Sequence, residues 1–286
     1  MTPPTAHWPC VAIVGVGMIG GSIGKALLQR RLADRVIGVG RNGASLDEAV
    51  RCGAVSETSL DLAAAVANAD LVVVATGVAA IPRLLDAIDA AIEPGTLLTD
   101  AGSTKASIVA AWERDRPSRR GRFVGGHPIA GSHRRGPAAA DPDLFAGRVT
   151  VVTPAEQTPP VDTDAIASFW DALGSTVAAM SPEEHDAILA RTSHAPHLVA
   201  AAIATATPAG CRRFTAGGWR DTTRIAAGDP ELWADILLDN GPEVVAAIES
   251  IQAATADMLA AIEAADRGRL VSLLTRAKED RDAVGS

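Results

Sequence analysis

The sequence predicts a doubly wound, mostly parallel α/β sheet followed by an all-helical region, and three observations carry that expectation. Short, wholly apolar runs alternate with helical patterns through roughly the first 180 residues. A glycine-rich turn follows the first of those runs. Beyond residue 180 no further strand signal appears, and apolar residues recur at helical spacing instead. At 286 residues the chain has length enough for two domains.

The elements follow in order. Residues 11–14 (Val-Ala-Ile-Val) form the continuous apolar run expected of a strand covered on both faces. They lead into glycine-rich sequence and a helix through Leu28. Further strands are expected at 36–39, 71–75, 96–99 and 123–125, and the runs at 149–152 and 176–180 close the series, with helices between them. The Pro- and Thr-rich segment 154–164 reads as a surface loop. Ser181-Pro182-Glu183-Glu184 combines an N-cap serine, a proline at the first helical position and a glutamate at the third, which is a strong helix start. Asp229-Pro230 and Gly241-Pro242 open two more helices. From Val245 onward Ile248, Ile251, Met258, Leu259 and Ile262 mark an amphipathic helix. The chain therefore divides into a dinucleotide-binding domain, residues 1–180, and an all-helical domain, residues 181–286. Such a helical domain is expected to pair two copies into a homodimer, although a long amphipathic helix can also pack within its own subunit.

Composition narrows the partners. A net charge of −8 and a pI near 5.3 favour neither nucleic acid nor an anionic membrane surface. Cys10, Cys52 and Cys211 are odd in number and widely spaced, which suits neither a disulfide framework nor a metal site. No stretch approaches the length of a transmembrane helix, and a soluble cytoplasmic protein is expected.

Gly15, Gly17 and Gly20 make a G-x-G-x-x-G between the first strand and the first helix, the fingerprint of a Rossmann-like dinucleotide site. Gly15 permits the tight turn, Gly17 lets a pyrophosphate approach the backbone, and Gly20 allows close helix–strand packing. The second strand ends in Gly40-Arg41-Asn42. An acidic partner for a ribose 2′-hydroxyl is missing, and Arg41 stands where it could meet a 2′-phosphate, so NADP is expected in preference to NAD.

Residues 125–131 (Gly-Gly-His-Pro-Ile-Ala-Gly) set one imidazole, His127, among glycines and a proline. Glycine there allows close ligand approach, and a histidine can accept a proton near neutral pH. Beside a nicotinamide, such a base suits a dehydrogenase that removes a hydride and a hydroxyl proton together. A surface turn is the plainer alternative.

Taken with Asp100-Ala101-Gly102-Ser103-Thr104-Lys105, Ser193-His194-Ala195-Pro196-His197 and Thr223-Arg224-Ile225-Ala226, these motifs resemble the prephenate/arogenate dehydrogenase family of tyrosine biosynthesis, over residues 15 to about 233. The resemblance implies a cyclohexadienyl substrate with a ring hydroxyl and, opposite it, a carboxylate. It makes His127 the base and Ser103 a second hold on the hydroxyl. Arg224 becomes a carboxylate clamp, the alternative being an ion pair with Asp221 or Asp229. It places His197, His185 and Ser193 at the substrate, and Met18, Ile19, Thr76 and Asp100 at the cofactor. His194 is left between packing and substrate contact, and Trp233 between pocket and core. The His-x-x-His pair lacks a third ligand, so no metal is expected. One departure from the family is His133, placed at the substrate in place of a frequent glutamate. Arg134 and Arg135 follow it in a cationic loop that bears on substrate discrimination or feedback control, or is a solvated surface run. Another is Gly77 in place of a frequent proline, which should loosen its loop. Related possibilities are oxidation of 4-amino-4-deoxyprephenate and a non-catalytic nucleotide-binding protein. The absence of lysine from 181 to 276 argues against a hydroxyacid dehydrogenase mechanism.

Overall fold

The structure is a computed structural model that describes residues 7–131 and 134–285. The nucleotide-binding part runs β1 (Cys10–Val14), α1 (Met18–Gln29), β2 (Arg35–Val39), α2 (Gly43–Arg51), β3 (Glu57–Ser59), α3 (Leu62–Val66), β4 (Leu71–Val74), α4 (Ile81–Asp89), β5 (Leu97–Asp100), α5 (Ala106–Glu113), β6 (Arg122–Pro128), β7 (Val149–Thr153), α6 (Pro160–Ala172) and β8 (Thr176–Ala179). The eight strands lie in one sheet, ordered β3-β2-β1-β4-β5-β6-β7-β8. Every neighbouring pair is parallel except β6 and β7.

Alternation along the central strands explains the two-sided core. On β1, Val11 and Ile13 join a cluster with Ile23, Leu27 and Trp170, whereas Ala12 and Val14 join Val72, Val74, Ile81 and Leu85 on the other face. Because both faces are covered, every β1 position is buried and the run reads as continuously apolar.

Two local readings change. Strand β3 escapes the sequence pattern because Glu-Thr-Ser is polar and half-exposed; β2 pairing and the Arg35–Glu57 ion pair at 2.7 Å hold it in place. The supposed loop 154–164 is shorter, since α6 starts at Pro160 and its buried Asp162 takes Arg122 at 2.7 Å.

Among the described residues only helices follow β8. They are α7 (Pro182–Leu189), a π-helical turn (Ala190–His194), α8 (Ala195–Ala206), a 3-10 turn (Ala209–Phe214), α9 (Gly217–Thr223), a second 3-10 turn (Arg224–Ala227), α10 (Pro230–Asp239), α11 (Gly241–Glu263) and α12 (Arg267–Asp282). Ser181 caps α7 by accepting from Glu184 N–H at 3.1 Å. The buried cluster here contains only Ala190, Ala195, Val244 and Ala247. Along α11 and α12 the apolar Val245, Leu259, Ile262 and Leu274 are more than half exposed. The expectation that no stretch reaches membrane-spanning length is corrected by α11. Its 23 residues are long and apolar enough by length and composition, because alanine raises the hydropathy of a helix that need not enter a bilayer.

Candidate active site

Each fingerprint glycine meets a different physical demand. Gly15 has φ +98°, and a Cβ there would lie 2.5 Å from the Ala75 carbonyl. A Cβ on Gly20 would lie 2.1 Å from the Gly15 carbonyl, whereas the space beside Gly17 is open. Gly17 is also the N-cap of α1 and offers no side chain to its free N–H groups, so the turn fits an anionic pyrophosphate. Gly17, Met18, Ile19, Thr76, Ser103 and Trp233 line a cleft of about 440 Å³. A second cavity of about 420 Å³ lies beside β2, between Val16, Gly40, Arg41, Asn42, Ser45 and Leu46. Gly77 holds φ −58° and ψ 145°, values that proline itself adopts.

His127 stands on β6, not in a turn. Opposite β7 its register partner is Val151, with Gly126 opposite Val152. The glycines before it serve packing rather than ligand approach. A Cβ on Gly125 would lie 2.4 Å from Thr153 Oγ1, and one on Gly126 would lie 2.8 Å from the Asp100 carbonyl and 2.9 Å from Trp170 Nε1.

Beyond Val124 the β5–β6 ladder ends, and side chains replace it. Asp100 Oδ1 accepts from Gly126 N–H at 3.1 Å, and Lys105 Nζ donates to the Gly126 carbonyl at 2.9 Å. Lys105 and Asp100 pair directly with both side chains fully buried, and Asp100 also accepts from Gly102 N–H. Burial pulls the Lys105 pKa down, and the Asp100 carboxylate opposes it. The carboxylate of Asp100, expected at the cofactor, has its oxygens taken up inside the protein, where they hold the strand that carries His127.

His127 Nδ1 lies 2.8 Å from His185 Nε2, and His185 Nδ1 lies 2.7 Å from Asp186 Oδ1. His185, expected at the substrate, is fully buried, and its two ring nitrogens are committed to His127 and Asp186. Burial pushes the His127 pKa well below the usual value, with His185, Lys105 and His194 adding in the same direction.

The helical wall is built around a missing hydrogen bond. Pro196 lacks an N–H at the start of α8, and the preceding turn, which holds Ser193 half-buried, widens to π geometry. His197 stacks on Trp233 with centroids 3.6 Å apart and planes 14° apart, and its buried Nδ1 has no partner. Trp233 is therefore cleft wall rather than core. The buried His194 meets the same indole edge-on and lies 3.1 Å from Asn240 Nδ2; burial pushes its pKa down to about 4. One of its contacts is packing and the other a hydrogen bond. Arg224 is exposed and has no ion pair among the described residues. Asp229, one suggested partner, instead takes Arg135 at 2.6 Å across the cleft. His133 lies outside the described residues.

Sequence reasoning quoted Lys105 only as part of a motif and passed over Asp186, Asp239 and Asn240. Nothing in local pattern distinguishes these from solvated polar residues. Yet Asp239 accepts from Thr104 and Ser107, and Asn240 Nδ2 donates to the Asp186 carbonyl at 2.8 Å.

Two family models match the chain: "Prephenate dehydrogenase, nucleotide-binding domain" over residues 23–179, and "Prephenate dehydrogenase, dimerization domain" over 181–276. A prephenate dehydrogenase of Bacillus subtilis is 33% identical over 281 residues, covering 96% of this chain and 76% of the relative. A crystal structure of prephenate dehydrogenase from Aquifex aeolicus, in complex with hydroxyphenyl propionate and NAD+, superposes with a TM-score of 0.89 at 29% identity, covering 96% of this chain and 98% of that one. The Synechocystis arogenate dehydrogenase structure superposes with a TM-score of 0.82 at 27% identity, covering 96% and 99%.

Proposed function

The chain belongs to the prephenate dehydrogenase family, and from that premise we propose that it oxidatively decarboxylates prephenate, arogenate or both, with a nicotinamide dinucleotide as cofactor. The observation that carries this reading is His127, a histidine kept neutral by burial and held by a side-chain network on the same sheet that carries the dinucleotide fingerprint.

When bound, a dinucleotide would supply the hydride acceptor. Gly15, Gly17 and the α1 N-terminus would hold its pyrophosphate, and Met18, Ile19 and Thr76 line the cleft beside Gly17. Neutral His127 accepts the proton of the substrate hydroxyl, and Ser103 in the cleft wall steadies that hydroxyl. His197, stacked on Trp233, and Ser193 present the helical side of the site. Once the ring carbon is oxidised, loss of carbon dioxide restores aromaticity.

Arg224 takes a substrate carboxylate, a role its exposed and unpaired guanidinium leaves open. Replacing Arg224 with alanine should raise KM on the order of tenfold to a hundredfold, the worth of a charged hydrogen-bonded pair, and alter kcat less. A variant that lost turnover at unchanged KM would remove the clamp role.

NADP is the preferred cofactor. No carboxylate lines the cavity beyond Gly40, and Arg41 meets Asn42 and Ser45 there, a cationic and hydrogen-bonding setting for a 2′-phosphate. Steady-state assays with prephenate and arogenate, each with NAD and NADP, test both readings. Turnover of neither substrate would end the functional assignment, and a preference of about tenfold for NAD in kcat/KM would end the cofactor assignment.

The domain division falls at 180/181, where β8 has ended and α7 begins. The helical domain forms a homodimer, because exposed apolar residues on α11 and α12 need a partner and the domain's own core is small. Sedimentation at the mass of one 29.3 kDa protomer would remove that reading. The three thiols are free, which suits a reducing cytoplasm, and recovery in a membrane fraction would count against that placement.

A further inference from the structure

Asp186 stands out among the buried charged groups because it belongs to the helical domain yet its carboxylate bonds lead toward the histidine pair at the catalytic strand or the segment after Ser103. Its Oδ1 accepts from Lys105 N–H at 2.8 Å and lies 2.7 Å from His185 Nδ1; its Oδ2 accepts from Ala106 N–H at 2.9 Å. Those two backbone donors are at the N-terminus of α5, so the carboxylate serves as a cap supplied from another domain. Its main chain is held as well, through the Asn240 amide on its carbonyl. A carboxylate with both oxygens engaged cannot rotate to suit a histidine; the histidine must suit it.

We infer that Asp186 is the positioning residue that sets the tautomers of His185 and His127, and so leaves Nε2 of His127 as the proton-accepting nitrogen. The step follows from counting protons. A carboxylate only accepts, so the proton of a neutral His185 sits on Nδ1, facing Oδ1. Its Nε2 is then a bare lone pair, 2.8 Å from His127 Nδ1. Two lone pairs at that distance repel, so the single proton of neutral His127 lies on Nδ1 and is donated to His185. The opposite tautomers would place a bare Nδ1 of His185 against a carboxylate oxygen at 2.7 Å.

The same chain supports the product of proton transfer. The substrate O–H bond breaks as an N–H bond forms at His127 Nε2, and the ring becomes an imidazolium. Its Nδ1–H stays on the bond to His185, whose own Nδ1–H rests on the negative Asp186. No proton need move between the rings. Lys105 and His194, which also face this group, disfavour the imidazolium, so the carboxylate at the end of the chain is the compensating charge. Asp186 remains ionised because the hydrogen bonds from His185, Ala106 and Lys105 outweigh the effect of its burial, and its pKa is held below the usual value. The arrangement follows the logic of an acid that orients a catalytic imidazole, here with a second imidazole between them.

The catalytic consequence rests on the function proposed above, but the tautomers do not, and that separates the two possible failures. Two-bond 1H–15N spectra of the labelled full-length protein at neutral pH should show both His127 and His185 as Nδ1–H tautomers. An Nε2–H tautomer for His127 overturns the inference whatever the substrate proves to be. In Asp186→Asn the carboxamide can donate its N–H to His185 Nδ1, His185 turns to Nε2–H, and His127 is forced to Nε2–H. The expected kcat loss is on the order of 10²- to 10⁴-fold, with KM for both substrates far less affected. A folded Asp186→Asn enzyme with wild-type tautomers, or with kcat within about twofold of wild type, overturns it as well. Should that variant not fold, the wild-type spectrum still decides.

Discussion

Replacing His127 with asparagine is expected to lower kcat by about a hundredfold or more, with cofactor affinity nearly unchanged. Asparagine keeps a polar group of similar reach on β6 and can still meet His185, but it cannot accept a proton. The dinucleotide fingerprint lies on β1 and α1, so the substitution leaves that turn intact. The pH dependence of the wild-type enzyme supports the same test. Burial lowers the His127 pKa, and His185, Lys105 and His194 add to that effect. The base acts when neutral, so activity falls only as pH drops through this lowered pKa. The acid limb of kcat/KM should therefore lie below 6.5, the ordinary histidine value. Unchanged turnover in the variant would refute the role of His127, and an acid limb centred above 6.5 would refute the account of its environment.

The largest expected effect on stability comes from Lys105→Met. Methionine fills similar space but leaves the Asp100 carboxylate buried without its cation, and removing one partner of such a pair costs about 3–5 kcal/mol. At about 2–4 °C per kcal/mol for a domain of this size, Tm should fall by roughly ten degrees. The loss also frees the Gly126 carbonyl, one residue before the catalytic histidine, so the folded fraction should turn over more slowly. Chemical denaturation that finds less than about 1 kcal/mol lost would show that the pair is not holding the strand. Asp100→Leu would not be the neutral reciprocal change, because Asp100 also satisfies the N–H groups of Gly102 and Gly126.

Much of the fold was legible because its information is local. The runs at 11–14, 36–39 and 71–75 are apolar throughout since the strands they form are covered on both sides. The fingerprint glycines could be assigned separate tasks in advance because a strand–turn–helix of that length leaves little geometric choice. Strand β3 was not legible, since its place depends on β2 and on Arg35, not on its own side chains. The glycines before His127 were misread for a similar reason. Their neighbours Thr153 and Trp170 are distant in sequence, so a packing requirement looked like a ligand-binding loop.

The sequence by itself determined the class of fold and the glycine turn between β1 and α1, and it singled out His127, because each is written in a pattern a few residues long. Only the tertiary structure decided what holds that histidine. Asp100 turns inward, Lys105 gives up solvent to pair with it, and His185 and Asp186 come from the helical domain to fix the ring from behind. A buried charge pair and a chain of imidazoles have no sequence period. They are held in place because residues 26 to 81 positions apart meet where water is excluded, and there each donor must find an acceptor.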